Sequence, residues 1–204
     1  MTLVTIAASY GAGGSRVAPD LARRLGVPLL ERPPVPGLLN DEGDEEAQAA
    51  DERLGAGGLL SKLTSIAVAW GTPPGLSAEE LLPDEARRQA LDQEVLAFAA
   101  SGRGVILGRG AAVLLHDDPR VLHVLLDGPE HARVEQAMAI EGIDRETAER
   151  RRTRLDRFRR AYLRDLYGVD VREPGVFHLV LDSTAIALDD CAELIADAAR
   201  RRVG

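Results

Sequence analysis

The sequence is short of several things, and each shortage removes a class of function. Of its 25 basic side chains only Lys62 is a lysine and 24 are arginine, so any cationic task falls to guanidinium groups. Phe, Trp and Tyr together make up 3% of the 204 residues, which leaves no interleaved aromatics for stacking bases and moves the packing onto Leu, Val, Ala and Ile. Cys191 is the single cysteine. Disulfide frameworks and cysteine zinc sites are thereby excluded, and its setting in Leu188–Ile195 reads as a small buried thiol on a helix.

No apolar run approaches the roughly 18 residues that span a bilayer, and the first fifteen residues carry no charge, so no signal peptide and a cytoplasmic location are expected. The net charge of −8 and pI near 5.1 argue against general binding to nucleic acid or anionic membrane, since neutralising phosphates takes clustered positive charge.

What the chain does have is the length for one α/β domain and an apolar content, 45%, that fills a core. Leu3–Ala8 reads as a strand and Ser9–Ser15 as a glycine-rich turn. A helix follows with Val17, Leu21 and Leu25 on one face, tolerating Pro19 near its first turn and stopping at Gly26. Val27–Leu30 reads as a second strand.

Residues 32–58, with Pro33, Pro34, Pro36 and the acidic run 41–46, form an excursion from the core. Helical spacing runs over Leu59–Trp70 and, after a turn at 71–75, over Asp84–Ala100 with Leu91, Val95 and Phe98 inward. Gly104–Gly110 and Arg120–Leu126 read as buried strands, Pro129–Ile140 and Asp144–Tyr167 as helices, Phe177–Asp182 as a last strand and Leu188–Arg202 as a closing helix. Continuous apolar strands alternating with helices predict a three-layer, doubly wound α/β domain on a five-stranded parallel sheet.

A glycine turn between the first strand and first helix offers unpaired backbone N–H groups and a positive helix end to an anion. Against the phosphate-loop pattern G-x-x-x-x-G-K-[ST], residues 8–15 keep Gly13 and Ser15 but have Ala8 for the first glycine and Gly14 for the lysine. Against the dinucleotide pattern G-x-G-x-x-G, Gly11 and Gly13 fit, Arg16 replaces the third glycine, and Glu31 imitates the ribose-binding acid. A tight turn that binds nothing is the third reading.

The helix over Asp144–Tyr167 carries Arg145, Arg152, Asp156 and Arg159 on one stripe and Leu155, Phe158, Tyr162 and Leu166 on another. Six further arginines, Arg150, Arg151, Arg154, Arg157, Arg160 and Arg164, outnumber the nearby acids. The run reads either as a solvated face laced with i, i+4 pairs such as Glu146–Arg150, or as guanidinium forks for phosphates.

Taken together, the segments 10–14, 105–111, 129–134, 156–159 with Tyr162, 167–170 and 179–184 resemble the cytidylate kinase-like family, in the same order from residue 1 to about 200. The resemblance implies a P-loop fold with an acceptor-binding insert, here 33–84, and an arginine-bearing lid, here 133–172. It implies ATP- and Mg²⁺-dependent transfer to a nucleoside monophosphate such as CMP or dCMP, with nucleotides as the small-molecule partners.

By that resemblance Gly11, Ala12, Gly13, Gly14 and Ser15 wrap the donor phosphates and Ser15 is the hydroxyl nearest the metal. Arg109 meets the acceptor phosphate, with Glu31 and Arg32 beside the acceptor entrance, while Arg133, Arg152, Asp156 and Arg159 clamp the phosphates from the lid. Arg16 is the candidate to supply the charge of the missing lysine, with Lys62 a second if the insert folds over the site. The alternatives are a nucleotide-binding or regulatory protein that kept the fold without transfer, and a dinucleotide-dependent enzyme. No histidine is required for the chemistry.

Overall fold

The computed structural model describes residues 2–31, 84–167 and 175–202. The chain divides into two compact units, residues 1–32 with 92–204, and residues 33–91. The expected helix 59–70, the turn 71–75, Arg32, Lys62 and residues 168–172 of the lid-like region lie outside the described residues, as do the side chains of Leu91, Phe158, Tyr162 and Leu166.

The described elements run β1 (Leu3–Ala8), α1 (Gly14–Leu25), β2 (Leu29–Leu30), α2 (Asp84–Ala100), β3 (Gly104–Leu107), α3 (Ala111–Leu114), β4 (Val121–Asp127), α4 (Glu130–Glu141), α5 (Arg145–Tyr167), β5 (Leu179–Asp182) and α6 (Leu188–Arg202). The expected alternation of strand and helix is met. The second strand is shorter than its apolar run, because Pro28 has no N–H to give and only its carbonyl joins the sheet, accepting from Val105 N at 2.9 Å. Pro19 falls in the second turn of α1, deeper than the spacing suggested. The carbonyl that loses its helical donor there belongs to Ser15, an exposed residue.

All four pairings are parallel, in the order β2-β3-β1-β4-β5. β1 is central and covered on both faces, which is why its sequence is a nearly unbroken apolar run. On one face α1 and α6 press Val17, Leu21, Cys191 and Ile195 onto Val4, Ile6, Val105 and Val124. On the other, Val95 and Ala99 of α2 and Ala111 of α3 close over Leu3, Ile106 and Val121. Cys191 is fully buried with its thiol pushed up by desolvation, in keeping with a packing role.

A buried polar pair inside the sheet is Thr5 and His123, opposite each other in the β1–β4 register, with Thr5 Oγ1 2.8 Å from His123 Nδ1. His123 stacks on His178 with ring centroids 4.9 Å apart, and its backbone N–H donates to His178 Nδ1 at 3.0 Å. Burial, seconded by His178, pushes the His123 imidazole down to about 4. The unfolded chain therefore binds this proton at higher pH than the folded one, and stability is lost as pH falls from about 6.5 towards 4. We expect the unfolding free energy to drop by about 3 kcal/mol across that window, measured by urea titration at successive pH values. A flat profile between pH 6.5 and 4.5 would contradict the assignment.

Candidate functional site

The loop that follows β1 leaves the carboxyl edge of the sheet at its centre, between β3 and β4, where the chain's winding changes direction and a crevice opens in folds of this kind. Gly11 has φ +77° and sits so close to α4 that a Cβ there would lie 2.1 Å from the Arg133 carbonyl oxygen. Only glycine fits both the backbone turn and the gap.

The chemistry of the loop is set by where its carbonyls go. The Ala8 carbonyl accepts from Arg159 Nη1 and the Ser9 carbonyl from Ala12 N at 3.0 Å. The Tyr10 carbonyl accepts from Arg133 Nη1 at 2.8 Å, the Gly11 carbonyl from Gln136 Nε2 at 2.9 Å, and the Ala12 carbonyl from Ser183 Oγ at 2.8 Å. The Gly13 carbonyl takes the first helical amides, Arg16 N and Val17 N. Every acceptor from residue 8 to residue 13 is thus occupied. The amides of Gly11, Gly13, Gly14 and Ser15, by contrast, have no acceptor among the described residues. A loop whose acceptors are consumed and whose donors are free is selective for anions, and the positive end of α1 adds to it.

Arg133 anchors this arrangement. Its side chain is only 6% exposed. Besides the Tyr10 carbonyl it donates Nε to the Gly128 carbonyl at 3.0 Å and Nη1 to Asp156 Oδ2 at 2.9 Å, and Asp127 Oδ1 lies 3.4 Å from Nε. Asp156 in turn accepts the Tyr10 amide on Oδ1 at 3.1 Å. Arg133 and Asp156, both expected at the phosphate clamp, pin the loop to α4 and α5 through the C=O and the N–H of Tyr10. The Tyr10 ring is held as well, its hydroxyl donating to Glu141 Oε2 at 3.0 Å; burial and that carboxylate raise the phenol well above its ordinary range, so it stays protonated.

Of the other expected residues, Arg152 pairs with Glu130 at 2.9 Å, while Arg145 of the same stripe pairs with Glu135. The Glu146–Arg150 pair anticipated for a solvated face is present at 2.9 Å, so the long helix is laced on one side and engaged with the loop on another. Arg16 is exposed and holds no side-chain partner among the described residues; Ser15 is exposed at the start of α1.

Arg109 lies at the end of β3 in a run of three left-handed residues, Gly108, Arg109 and Gly110, with φ +59° at the arginine itself. A non-glycine residue held there costs about 1 kcal/mol, and such strain marks sites where a side chain must be aimed. Its guanidinium is 7% exposed, ion-paired with Glu94 and donating to the Glu31 carbonyl at 2.9 Å, and Nε is buried without an acceptor among the described residues. Glu31 therefore meets Arg109 through its backbone. It also stands two strands from the glycine loop, because β2 pairs with β3 and not with β1. The dinucleotide reading needs its acid on the strand next to β1, so the topology removes it.

Sequence reasoning passed over Gln136, Glu94 and Glu141. No motif marks them, and only their placement on α4 and α2 brings them to the loop and to Arg109. Among the described residues no cluster of three His, Cys, Asp or Glu side chains is arranged to hold a metal ion, and no helix is long and apolar enough to cross a membrane.

The chain is similar to several known proteins. A model of the cytidylate kinase-like family matches residues 3–185. A protein of Aeropyrum pernix named cytidylate kinase is 35% identical over 137 residues, covering 63% of this chain and 76% of that protein. Among solved structures, an uncharacterized protein from Eubacterium ventriosum superposes with a TM-score of 0.63 at 17% identity, covering 98% of this chain and 99% of that one. A gluconokinase from Sinorhizobium meliloti superposes with a TM-score of 0.51 at 16% identity, covering 98% and 92%. At those identities the likeness is one of fold, the five-stranded parallel sheet of P-loop kinases.

The buried Arg133–Asp156 pair generates a stability prediction. Removing one partner leaves an uncompensated buried charge, so Asp156→Ala should cost about 3 kcal/mol of unfolding free energy, read by urea denaturation. Glu146→Ala on the exposed face should cost under about 0.5 kcal/mol.

Proposed function

The chain belongs to the cytidylate kinase-like family, and from that premise we propose that it transfers the γ-phosphoryl group of ATP, with Mg²⁺, to a nucleoside monophosphate, CMP or dCMP. The observation that carries the reading is the loop of residues 8–15, with its carbonyls engaged and four amides free for phosphate oxygens. The amides of Gly11, Gly13, Gly14 and Ser15 hold the donor phosphates there, while the Ala12 amide is spent on the Ser9 carbonyl and its small side chain is buried.

The Ser15 hydroxyl, exposed beside those amides, suits Mg²⁺, which keeps waters and takes its remaining ligands from phosphate oxygens. When bound, the ion neutralises charge on the transferring phosphoryl group. Arg109, aimed by its left-handed turn and carrying an unused Nε donor, receives the acceptor phosphate, with Glu31 fixing it through a carbonyl and Arg32 next along the chain. Arg152 and Arg159 face the phosphates from α5, and Arg133 and Asp156 hold the loop in register for them. An acceptor phosphate oxygen attacks phosphorus and ADP leaves. Positioning and charge compensation carry most of such a step, so no side chain need remove a proton.

The test is product formation from ATP, Mg²⁺ and a panel of nucleoside monophosphates. Diphosphate should form fastest from CMP or dCMP. Ser15→Ala should lower turnover about tenfold or more, and Arg109→Ala should raise the acceptor KM while leaving the ATP dissociation constant within about twofold. ATP binding with no turnover on any acceptor would mark a binding or regulatory protein instead, and a chain that binds no nucleotide would overturn the reading.

A further inference from the structure

The loop departs from G-x-x-x-x-G-K-[ST] twice, with Ala8 where the first glycine stands and Gly14 where the lysine stands. In space these are one departure. A Cβ built on Gly14 would lie 2.6 Å from the Ala8 Cβ and 3.3 Å from Leu107 Cδ1, against an optimum of about 3.5–4.0 Å for two carbons. Gly14 is buried, and its neighbour in the collision is the rigid methyl stub of a strand residue, which cannot swing aside as the end of a long side chain would. While residue 8 carries a methyl group, residue 14 has room for hydrogen only, and a lysine cannot be accommodated.

The loop's cation must then come from elsewhere. Among the arginines around the loop, Arg133 is paired with Asp156, Arg152 with Glu130, Arg151 with Glu141 and Arg109 with Glu94. Arg159 has no carboxylate within ion-pair distance among the described residues; its sole partner there is the carbonyl of Ala8, the residue whose methyl group blocks position 14. One hydrogen bond leaves the rest of its five donors available. Arg16 is also unpaired but exposed, so its charge is screened by solvent. Burial pushes the Arg159 guanidinium below its ordinary value, with Asp156 offsetting part of that shift and Arg133 adding to it, and a bound anion would offset more.

We infer that Ala8 and Gly14 form a sterically matched pair that excludes a loop lysine, and that Arg159, tied to the Ala8 carbonyl, supplies the positive charge to phosphates bound at the loop. The charge is thus delivered from α5 and not from the loop itself. The steric half stands on coordinates alone; the ligand half rests on the proposed phosphate-binding function.

Two measurements test the halves separately, with the full chain. In thermal unfolding, Gly14→Lys should lower Tm by about 5 °C or more, and Ala8→Gly combined with Gly14→Lys should recover most of that loss. A double variant no more stable than Gly14→Lys alone would overturn the steric pairing.

In calorimetric titration with tripolyphosphate and with ATP, Arg159→Gln should weaken binding about tenfold, and Arg16→Gln should change it less than twofold. Placing Ala8→Gly and Gly14→Lys in the Arg159→Gln background should restore affinity, because a lysine then returns the lost charge. A change in loop shape alone would not be rescued in this way. If the unmodified chain binds ATP and Arg159→Gln binds it equally, the assignment of Arg159 fails while the functional reading stands. If the unmodified chain binds neither polyphosphate, both fail.

Discussion

Everything at the carboxyl edge of this sheet depends on the buried contact between Arg133, Asp156 and the backbone of Tyr10. A glycine-rich loop has many conformations open to it and loses more entropy on ordering than any other kind of segment, so its shape must be imposed from outside. Here the imposition is polar. One guanidinium and one carboxylate grip the C=O and the N–H of the same residue, 2.8 and 3.1 Å away, and each satisfies the other. An ion pair so nearly closed off from water contributes little net stability by itself, since desolvation of both charges offsets much of their attraction. What it does supply is a single registered conformation, because a slip of the loop would strand a buried charge.

With Tyr10 fixed, the neighbouring carbonyls fall to Gln136, Ser183 and Arg159, and the loop becomes a set of donors without acceptors. The elements that do this come from three separate stretches: α4 after β4, α5 beyond it, and the turn after β5. The parallel sheet is what gathers them, since all five strands present their carboxyl ends on one side. Left-handed Arg109 joins the same edge from β3. The arginine excess that looked compositional is divided by this geometry into pairs laced on the outside of α5, such as Glu146–Arg150, and side chains turned to the loop.

The strands, the order of helices and the glycine loop were legible because they follow local periodicity: β1 and α6 have the bounds their apolar runs predict. The stripe Arg152, Asp156, Arg159 was legible as a face, but not its partners, since helical spacing gives a direction and no distance. Spacing therefore could not show that Arg133 and Asp156 bond to each other and to Tyr10. Sequence alone left Glu31 open to two readings for a similar reason. Its place at the end of the second strand is the same in a phosphate-loop and a dinucleotide fold, and only pairing of β2 with β3 separates them. Gln136 and Glu94 were invisible, being ordinary helical polar residues whose roles exist only after α4 and α2 are docked.

A lysine on the loop and an arginine on a distant helix differ in more than chemistry. A loop lysine keeps its charge at the site whatever the remaining chain does, whereas Arg159 reaches the Ala8 carbonyl only when α5 is docked, and Asp156 one turn earlier reaches the Tyr10 amide under the same condition. The acceptor of the Tyr10 amide and the loop charge then come from one helix face, and α5 cannot leave without removing both. By linkage, an anion that engages Arg159 and the loop amides together must strengthen the docking of α5 by as much as docking strengthens its own binding. In a chain with a single lysine, the positive charge at such a loop therefore becomes a property of tertiary structure.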